Sequence, residues 1–363
     1  MDSQIRLLCL SNYPLENAGV RHRMAAYFPY LRQQGVDVTF RPFLDSRFFS
    51  RFYEPGHALS KALHLTGFML RRCADMQRAY THDAVLIHKG AAIAGPPLFE
   101  TLITKVLKKP IIFDFDDAIH VLNTSAANRR AARLLKCPGK AERNLRMSAA
   151  VIAGNEYLAD FAGQLNSNVT VIPTVVDSKI CRPRTTLESH ADPVVLGWIG
   201  THTTAAYLAT ITPALQELAR RFNIVVRIVG AGAEISMPGV KVENLPWHLA
   251  TELETLQSFD IGLYPIVEDD WSWGKSGFKA IQYMAVGIPS VCSPVGVIQS
   301  LVRDGMDGFT ATTHDEWVAR LGSLIEDPGR RRQMGLAGRT QVENWYSLDR
   351  QAPRLHQVIR SVV

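Results

Sequence analysis

The chain contains no run of about 20 uninterrupted apolar residues, so no membrane-spanning helix is expected. Cysteine is scarce: Cys9, Cys73, Cys137, Cys181 and Cys292 are widely spaced, odd in number and without a CxxC pair. That excludes a small disulfide scaffold. It reads as a reduced, cytoplasmic compartment in which thiols serve as small core residues. Dense basic runs are missing as well. Lys and Arg number 40 against 34 Asp and Glu, a net +6, and the longest basic run is Arg330-Arg331-Arg332. So mild an excess suits phosphates or an anionic membrane surface and does not point to nucleic acid. The opening MDSQIRLLCLSNYP has only a short apolar stretch, broken by Asn12 and Pro14, and is not read as a signal peptide.

Two phosphate-loop signatures are incomplete. Gly230-Ala231-Gly232 follows an apolar run but lacks the third glycine of a dinucleotide fingerprint, and Pro238 comes soon after. It reads as a tight turn. Gly274-Lys275-Ser276 imitates the end of a Walker A loop, but Asp269 stands where the first glycine belongs.

What is present is an ordinary globular composition, 47% apolar and 20% charged over 363 residues, enough for two hydrophobic cores. Short apolar runs at 5–10, 36–40, 83–87, 110–114, 149–153 and 169–172 read as strands, with helical patterns between them, the first over 21–34. Residues 180–193 are polar with two prolines and read as a linker. The alternation then restarts, with strands at 194–199, 224–229, 260–264 and 289–292 and helices at 204–221, 247–258, 277–286 and 315–326. Strand–helix alternation implies parallel sheets. The expectation is an α/β chain of two Rossmann-like doubly wound domains facing a cleft. Open parallel sheets bind anionic ligands beyond the carboxyl ends of their strands.

Three stretches carry chemistry. Asp114, Asp116 and Asp117 close an apolar strand, where acids are costly unless partnered. They suit a divalent cation, an acceptor hydroxyl or a helix cap, and His120 nearby is an orienting or proton-handling group. In 260–296 a strand leads to a loop with Glu268, Asp269, Asp270, Trp271 and Trp273, then to a helix ending at Gly287. Lys275, Lys279 and Gln282 stand at i, i+4 and i+7 and share a face if that helix begins early enough; two cations at a helix start suit a diphosphate. Residues 48–72 are aromatic and basic, which fits a buried helix or a membrane-surface or acceptor-binding element. The Asn-x-Ser/Thr matches at Asn123 and Asn168 are expected by chance.

The order GKSGFKAIQYMAVGIPSV then SPVG resembles the nucleotide-sugar site of GT-B glycosyltransferases, most closely family 4 (group 1). The early glycine loop with Arg21 and Arg23, VIPTVVD at 171–177, LGWIGTHTTAAYL at 196–208 and the tail from Asp307-Gly308-Phe309 to Trp345-Tyr346-Ser347 resemble further parts of that family. The resemblance implies an N-terminal acceptor domain over 1–180, a linker over 181–193, a nucleotide-sugar domain over 194–345, and a helix at 346–363 packing back on the first domain. It implies a glycosyltransferase acting with retention on a saccharide, lipid-linked or small-molecule acceptor. The donor is a UDP- or GDP-sugar, with no required cofactor and no bound metal, and with membrane contact through 48–72.

Donor binding then falls to Gly19, Arg23, Gly200, Thr201, Glu268, Lys275, Ser276, Gly277, Phe278, Lys279 and Gln282, and the catalytic role, facing the acceptor, to Asp116, Asp117 and His120. Gly200 and Thr201 would offer N–H groups to phosphates, Ser276 and Gly277 helix-start N–H groups, and Gln282 would meet the ribose. The family's two glutamates fall at Gly274 and Gln282 here, and Glu268 or Asp269 is the substitute for the first. That departure keeps two other readings in view: a sugar-nucleotide-binding protein without activity, and a nucleotide-sugar epimerase.

Overall fold

The structure, a computed structural model, describes residues 4–52, 58–121, 137–183 and 192–363. Asn123, residues 53–57 of the aromatic-basic stretch and residues 184–191 of the linker lie outside the described residues. The chain divides into two units, Met1–Thr174 with Gln351–Val363, and Val175–Arg350.

The first unit holds six parallel strands: β1 (Ile5–Ser11), β2 (Val36–Pro42), β3 (Ala84–His88), β4 (Ile111–Phe115), β5 (Ala150–Ala153) and β6 (Val169–Val171), in the order β2-β1-β3-β4-β5-β6. The second holds β7 (Val194–Ile199), β8 (Ile224–Val229), β9 (Val242–Leu245), β10 (Ile261–Tyr264), β11 (Ser290–Cys292) and β12 (Phe309–Thr310), in the order β12-β11-β10-β7-β8-β9. Each is a Rossmann-like doubly wound sheet. Central strands such as β3 and β4 are buried along their whole length, as sheets covered on both faces require. In each unit the chain builds outward from its first strand, then returns to build the other side. That reversal falls between β1 and β3, and between β7 and β10. Helix connections leave in opposite directions there, which opens a crevice beyond the strand ends.

Two expected helices are broken, both for the same reason. The stretch 21–34 is a helix Ala18–Arg23, a 3₁₀ turn Ala25–Tyr27 and a helix Phe28–Gln33. Pro29 fits a first turn but not a helix interior, so a new helix starts there. Likewise 204–221 becomes His202–Ala205, Ala206–Thr210 and Thr212–Arg221, with Pro213 in the first turn of the last. The stretch 48–72 forms parts of two helices, Ser46–Phe52 and Ala58–Thr81. Its aromatic side chains turn inward: Phe48 packs on His64 and Phe68, and Phe68 on Phe43. Arg71 donates to the carbonyls of Pro42 and Phe43, and buried Arg72 pairs with Asp75. Leu63 and Leu70 remain exposed. Among the described residues no helix is long and apolar enough to cross a membrane.

The second core rests on two glycines facing two rings. Gly197 and Gly262 pair across β7 and β10. A Cβ on Gly197 would lie 2.0 Å from the Phe259 ring, and one on Gly262 would lie 2.3 Å from the Tyr283 ring. The Tyr283 hydroxyl donates to the Leu263 carbonyl at 3.2 Å and accepts from the Ile199 N–H at 3.4 Å, tying β10 to β7. Overpacking such a core costs roughly 1–3 kcal/mol. Gly197→Ala is therefore expected to lower the urea midpoint with an unchanged denaturant slope. An unshifted midpoint would mean that Phe259 moves aside without penalty.

Candidate functional site

In the first unit three strand ends line up: Ser11 of β1 stands beside His88 of β3, and His88 beside Asp114 of β4. Asp114 is buried and takes three contacts. Arg23 Nε donates to it at 3.1 Å, Arg23 Nη2 makes a shorter ion pair, and His88 Nδ1 lies 2.6 Å from Oδ2. Burial alone would raise this carboxyl. The Arg23 charge and the His88 contact outweigh that and hold it below the ordinary range. Arg23 also donates to the Ile172 carbonyl at 2.6 Å.

The next residue, Lys89, has φ 60°, a left-handed conformation that is uncommon outside glycine. The turn aims its ammonium at Asp116 Oδ1, 2.7 Å away, and at Asp117. Asp116 also accepts from the Thr174 hydroxyl at 3.4 Å. Burial opposes the ionised Asp116, but Lys89, then His88 and Arg23, hold its carboxyl well below the usual range. Lys89 is correspondingly held in its charged form against its burial. The His120 ring is half-buried and stacks on Phe161 with centroids 3.9 Å apart. Gly19 is the second residue of the helix Ala18–Arg23, whose cap, Asn17, accepts from the Val20 N–H.

In the second unit Lys279 sits at the reversal between β7 and β10. Its Nζ lies 5.7 Å from the ring centroid of Trp198 on β7 and 5.0 Å from that of Tyr264 on β10. Burial, and then the nearby charge of Lys275, push its ammonium down to about 7. Gly200 makes room for the stem: a Cβ there would lie 2.5 Å from the Trp198 ring and 2.9 Å from Lys279 Cε. Lys275 Nζ lies 5.9 Å from the Trp271 ring centroid. Gln282 is buried in the same helix as Lys279, Phe278–Ala285.

Several expected residues are placed differently. Arg23 is only 4% exposed, with its guanidinium engaged by Asp114 and Ile172, so it faces inward rather than toward a ligand. The Gly200 N–H donates to the Val229 carbonyl and the Thr201 N–H to the Thr204 hydroxyl, so neither points at a phosphate. Lys275 precedes the helix of Lys279 and Gln282. Gly277 ends the preceding turn with φ 68°, and the first-turn N–H groups belong to Phe278, Lys279 and Ala280 rather than Ser276. Asp269 caps the short helix Asp270–Trp273 by accepting from Ser272 at 2.6 Å, while Glu268 is exposed in the loop. His88 and Lys89 were not among the expected residues. The signal was there in IHKG, charge closing an apolar run, but its importance depends on sheet order.

Residues 193–327 match the family model described as glycosyl transferases group 1. A D-inositol 3-phosphate glycosyltransferase of Nocardia farcinica (strain IFM 10152) is 24% identical over 357 residues, covering 87% of this chain and 70% of that protein. Among solved structures, a glycosyltransferase from Rickettsia africae ESF-5 has a TM-score of 0.69 at 14% identity, covering 100% of this chain and 99% of that one. Anabaena Alr3699/HepE in complex with UDP and glucose has a TM-score of 0.68 at 14% identity, covering 98% and 100%. At such identities the likeness is one of fold: two Rossmann-like α/β units, as in these glycosyltransferases.

The carboxylates of the first unit carry a pH signature. Asp114 and Asp116 are held below their ordinary value of 3.8. Their contribution is therefore complete above that value and is lost as pH falls through it toward the folded-state value. Urea melts at pH 7, 5, 4 and 3 should show stability falling at the acid end. Asp114→Asn should lose about 3–5 kcal/mol at pH 7, because buried Arg23 is left without its counter-charge, and should show a shallower acid limb. An acid limb identical to wild type would mean that these carboxyls do not govern it.

Proposed function

We propose that this chain is a glycosyltransferase that takes a sugar from a nucleoside diphosphate sugar, a UDP- or GDP-sugar, and passes it to a saccharide, lipid-linked or small-molecule acceptor. One observation carries the reading: a half-buried lysine, Lys279, its ammonium pushed down to about 7 between the Trp198 and Tyr264 rings with Lys275 beside it, at the strand reversal of the second unit. Reversals of this kind are where open parallel sheets take nucleotides. The match to group 1 glycosyl transferases falls within this unit, and the Anabaena neighbour was solved with UDP and glucose.

In this reading Lys279 and Lys275 neutralise the diphosphate, on which negative charge grows as the anomeric C–O bond breaks. First-turn N–H groups of Phe278 and Lys279 complete the anion site. Gln282 meets ribose hydroxyls through its amide, which both donates and accepts. Asp116 and Asp117, both paired with Lys89, hold acceptor hydroxyls on the first unit, and His120 lines that side. Retention of anomeric configuration belongs to the same proposal and follows from the family 4 resemblance.

A thermal-shift series with UDP, GDP, ADP and dTDP, each with and without EDTA, tests it. One diphosphate at a hundred times its Kd should add ~2.7 kcal/mol of stability, and EDTA should leave the shift unchanged. The sign of the pH dependence is set by Lys279. Free, it is neutral above about 7; bound to a diphosphate, it is a cation. Binding therefore takes up a proton above pH 7 and weakens as pH rises, by at most roughly tenfold per unit. Lys279→Met should weaken binding and flatten that dependence. Nucleotide binding that ignores both pH and this substitution would remove Lys279 from the site, and the lack of any nucleotide shift would overturn the donor reading.

A further inference from the structure

The contacts of Asp114 leave one edge of His88 unused. A carboxylate only accepts hydrogen bonds, so Nδ1 of His88 carries the hydrogen facing Asp114, and Nε2 is the remaining polar atom of the ring. His88 is 0% exposed, and its Nε2 has no hydrogen-bond partner among the described residues. Asn12 Oδ1, just beyond the end of β1, is a second buried polar atom without a partner among them. Polar atoms buried in this way cost stability unless they are paired.

The direction in which Nε2 faces is defined. An ideal Cβ on Gly19 would lie 3.0 Å from Asn17 Oδ1, 3.3 Å from Nε2 and 3.8 Å from Lys89 Nζ. Gly19 itself therefore puts no side chain over the imidazole, and the Asn17 amide and the Lys89 ammonium border the same spot. Asp116 and Asp117 occupy two of the three N–H groups of Lys89. Residues 12–17, which lead to this spot, belong to no helix or strand, and Gly19 stands in the first turn of the helix Ala18–Arg23.

An unpaired imidazole nitrogen beside an ammonium with a hydrogen to give suits two adjacent hydroxyls. We propose that His88 Nε2 accepts a hydrogen bond from one hydroxyl of a saccharide diol while Lys89 donates to its neighbour. His88 then touches substrate, and Asp114 and Arg23 are its positioning residues. The proposal rests on the glycosyltransferase reading for the word saccharide. The diol belongs to the transferred sugar.

Two variants separate this role from a structural one. His88→Asn keeps an amide N–H where Nδ1 stood, so Asp114 stays engaged and only the Nε2 position is lost. His88→Gln restores a polar atom near the Nε2 position and gives up the Asp114 contact. A structural role makes Asn benign and Gln harmful. The proposal predicts the reverse for turnover. His88→Asn should melt like wild type and bind UDP or GDP equally well, yet lose roughly tenfold or more in kcat/KM, the scale of one lost hydrogen bond. The substrate is whichever of UDP-glucose, UDP-N-acetylglucosamine and GDP-mannose the wild type hydrolyses fastest. His88→Gln should recover part of that loss despite a lower Tm. Wild-type kcat and KM in His88→Asn would overturn the proposal.

In His88→Asn the nucleotide sugar should bind more weakly than in wild type while the nucleotide alone binds equally well; equal affinity for the nucleotide sugar would take the transferred sugar away from His88. A readout independent of activity is the 15N resonance of His88 Nε2, assigned through His88→Asn, during titration with UDP-glucose, glucose and myo-inositol. Movement with a free sugar, in a protein that binds no nucleotide, keeps the hydroxyl site and removes the transferase reading. No movement with any of them, in a protein that does bind nucleotide, removes the site and keeps the reading.

Discussion

The first unit is organised around one buried carboxylate. Asp114 lies next to the end of β4 inside the unit, where an unpaired charge would be intolerable. Arg23 and His88 make it tolerable by engaging both of its oxygens. The consequence reaches several elements: Arg23 ties the first helix to β4 and to the Ile172 carbonyl, and His88 ties β3 to β4. With those atoms fixed, Lys89 has a defined starting point for its left-handed turn, and the positions of Asp116 and Asp117 follow from its ammonium. A chain of charge pairs thus converts a strand end into an ordered polar surface.

The second unit reaches a comparable end by shape. Glycines on β7 and β10 admit Phe259 and Tyr283 against the sheet, and Gly200 lets the Lys279 stem lie over Trp198. The aromatic walls that desolvate Lys279 depress its proton affinity, and they also offer the ammonium ring faces to rest on. No carboxylate among the described residues acts on the Lys279 amine, whereas the first unit pairs its buried Arg23, and the Lys89 ammonium, with carboxylates.

Much of the fold was legible because its central strands are short apolar runs bounded by turn residues. All ten expected strands coincide with observed ones. The two that escaped, β9 and β12, are edge strands: VENL is half-polar because one side meets solvent, and β12 is only two residues long. Pro29 and Pro213 marked helix starts that periodicity alone ran through. The acids at Asp114 to Asp117 stood out because carboxylates closing a buried strand need partners. The partners themselves were hidden. Arg23 lies 91 residues from Asp114, and nothing local says that it turns inward. Gly200 and Thr201 looked like N–H donors until the sheet showed where those hydrogens go. His88 and Lys89 became conspicuous only when the strand order put them at a reversal.

The final helix, Leu348–Arg360, starts in the second unit, and its residues from Gln351 onward group with the first. The first unit is thus assembled from both ends of the chain, and the second is in effect an insertion within it. During synthesis every residue of the second unit is joined to the chain before the first receives Gln351–Val363. Domains generally fold as units, so the first unit, begun earliest, is completed last. A fragment ending at Thr174 corresponds to a state that the nascent chain passes through, with the final segment of its own unit still to come.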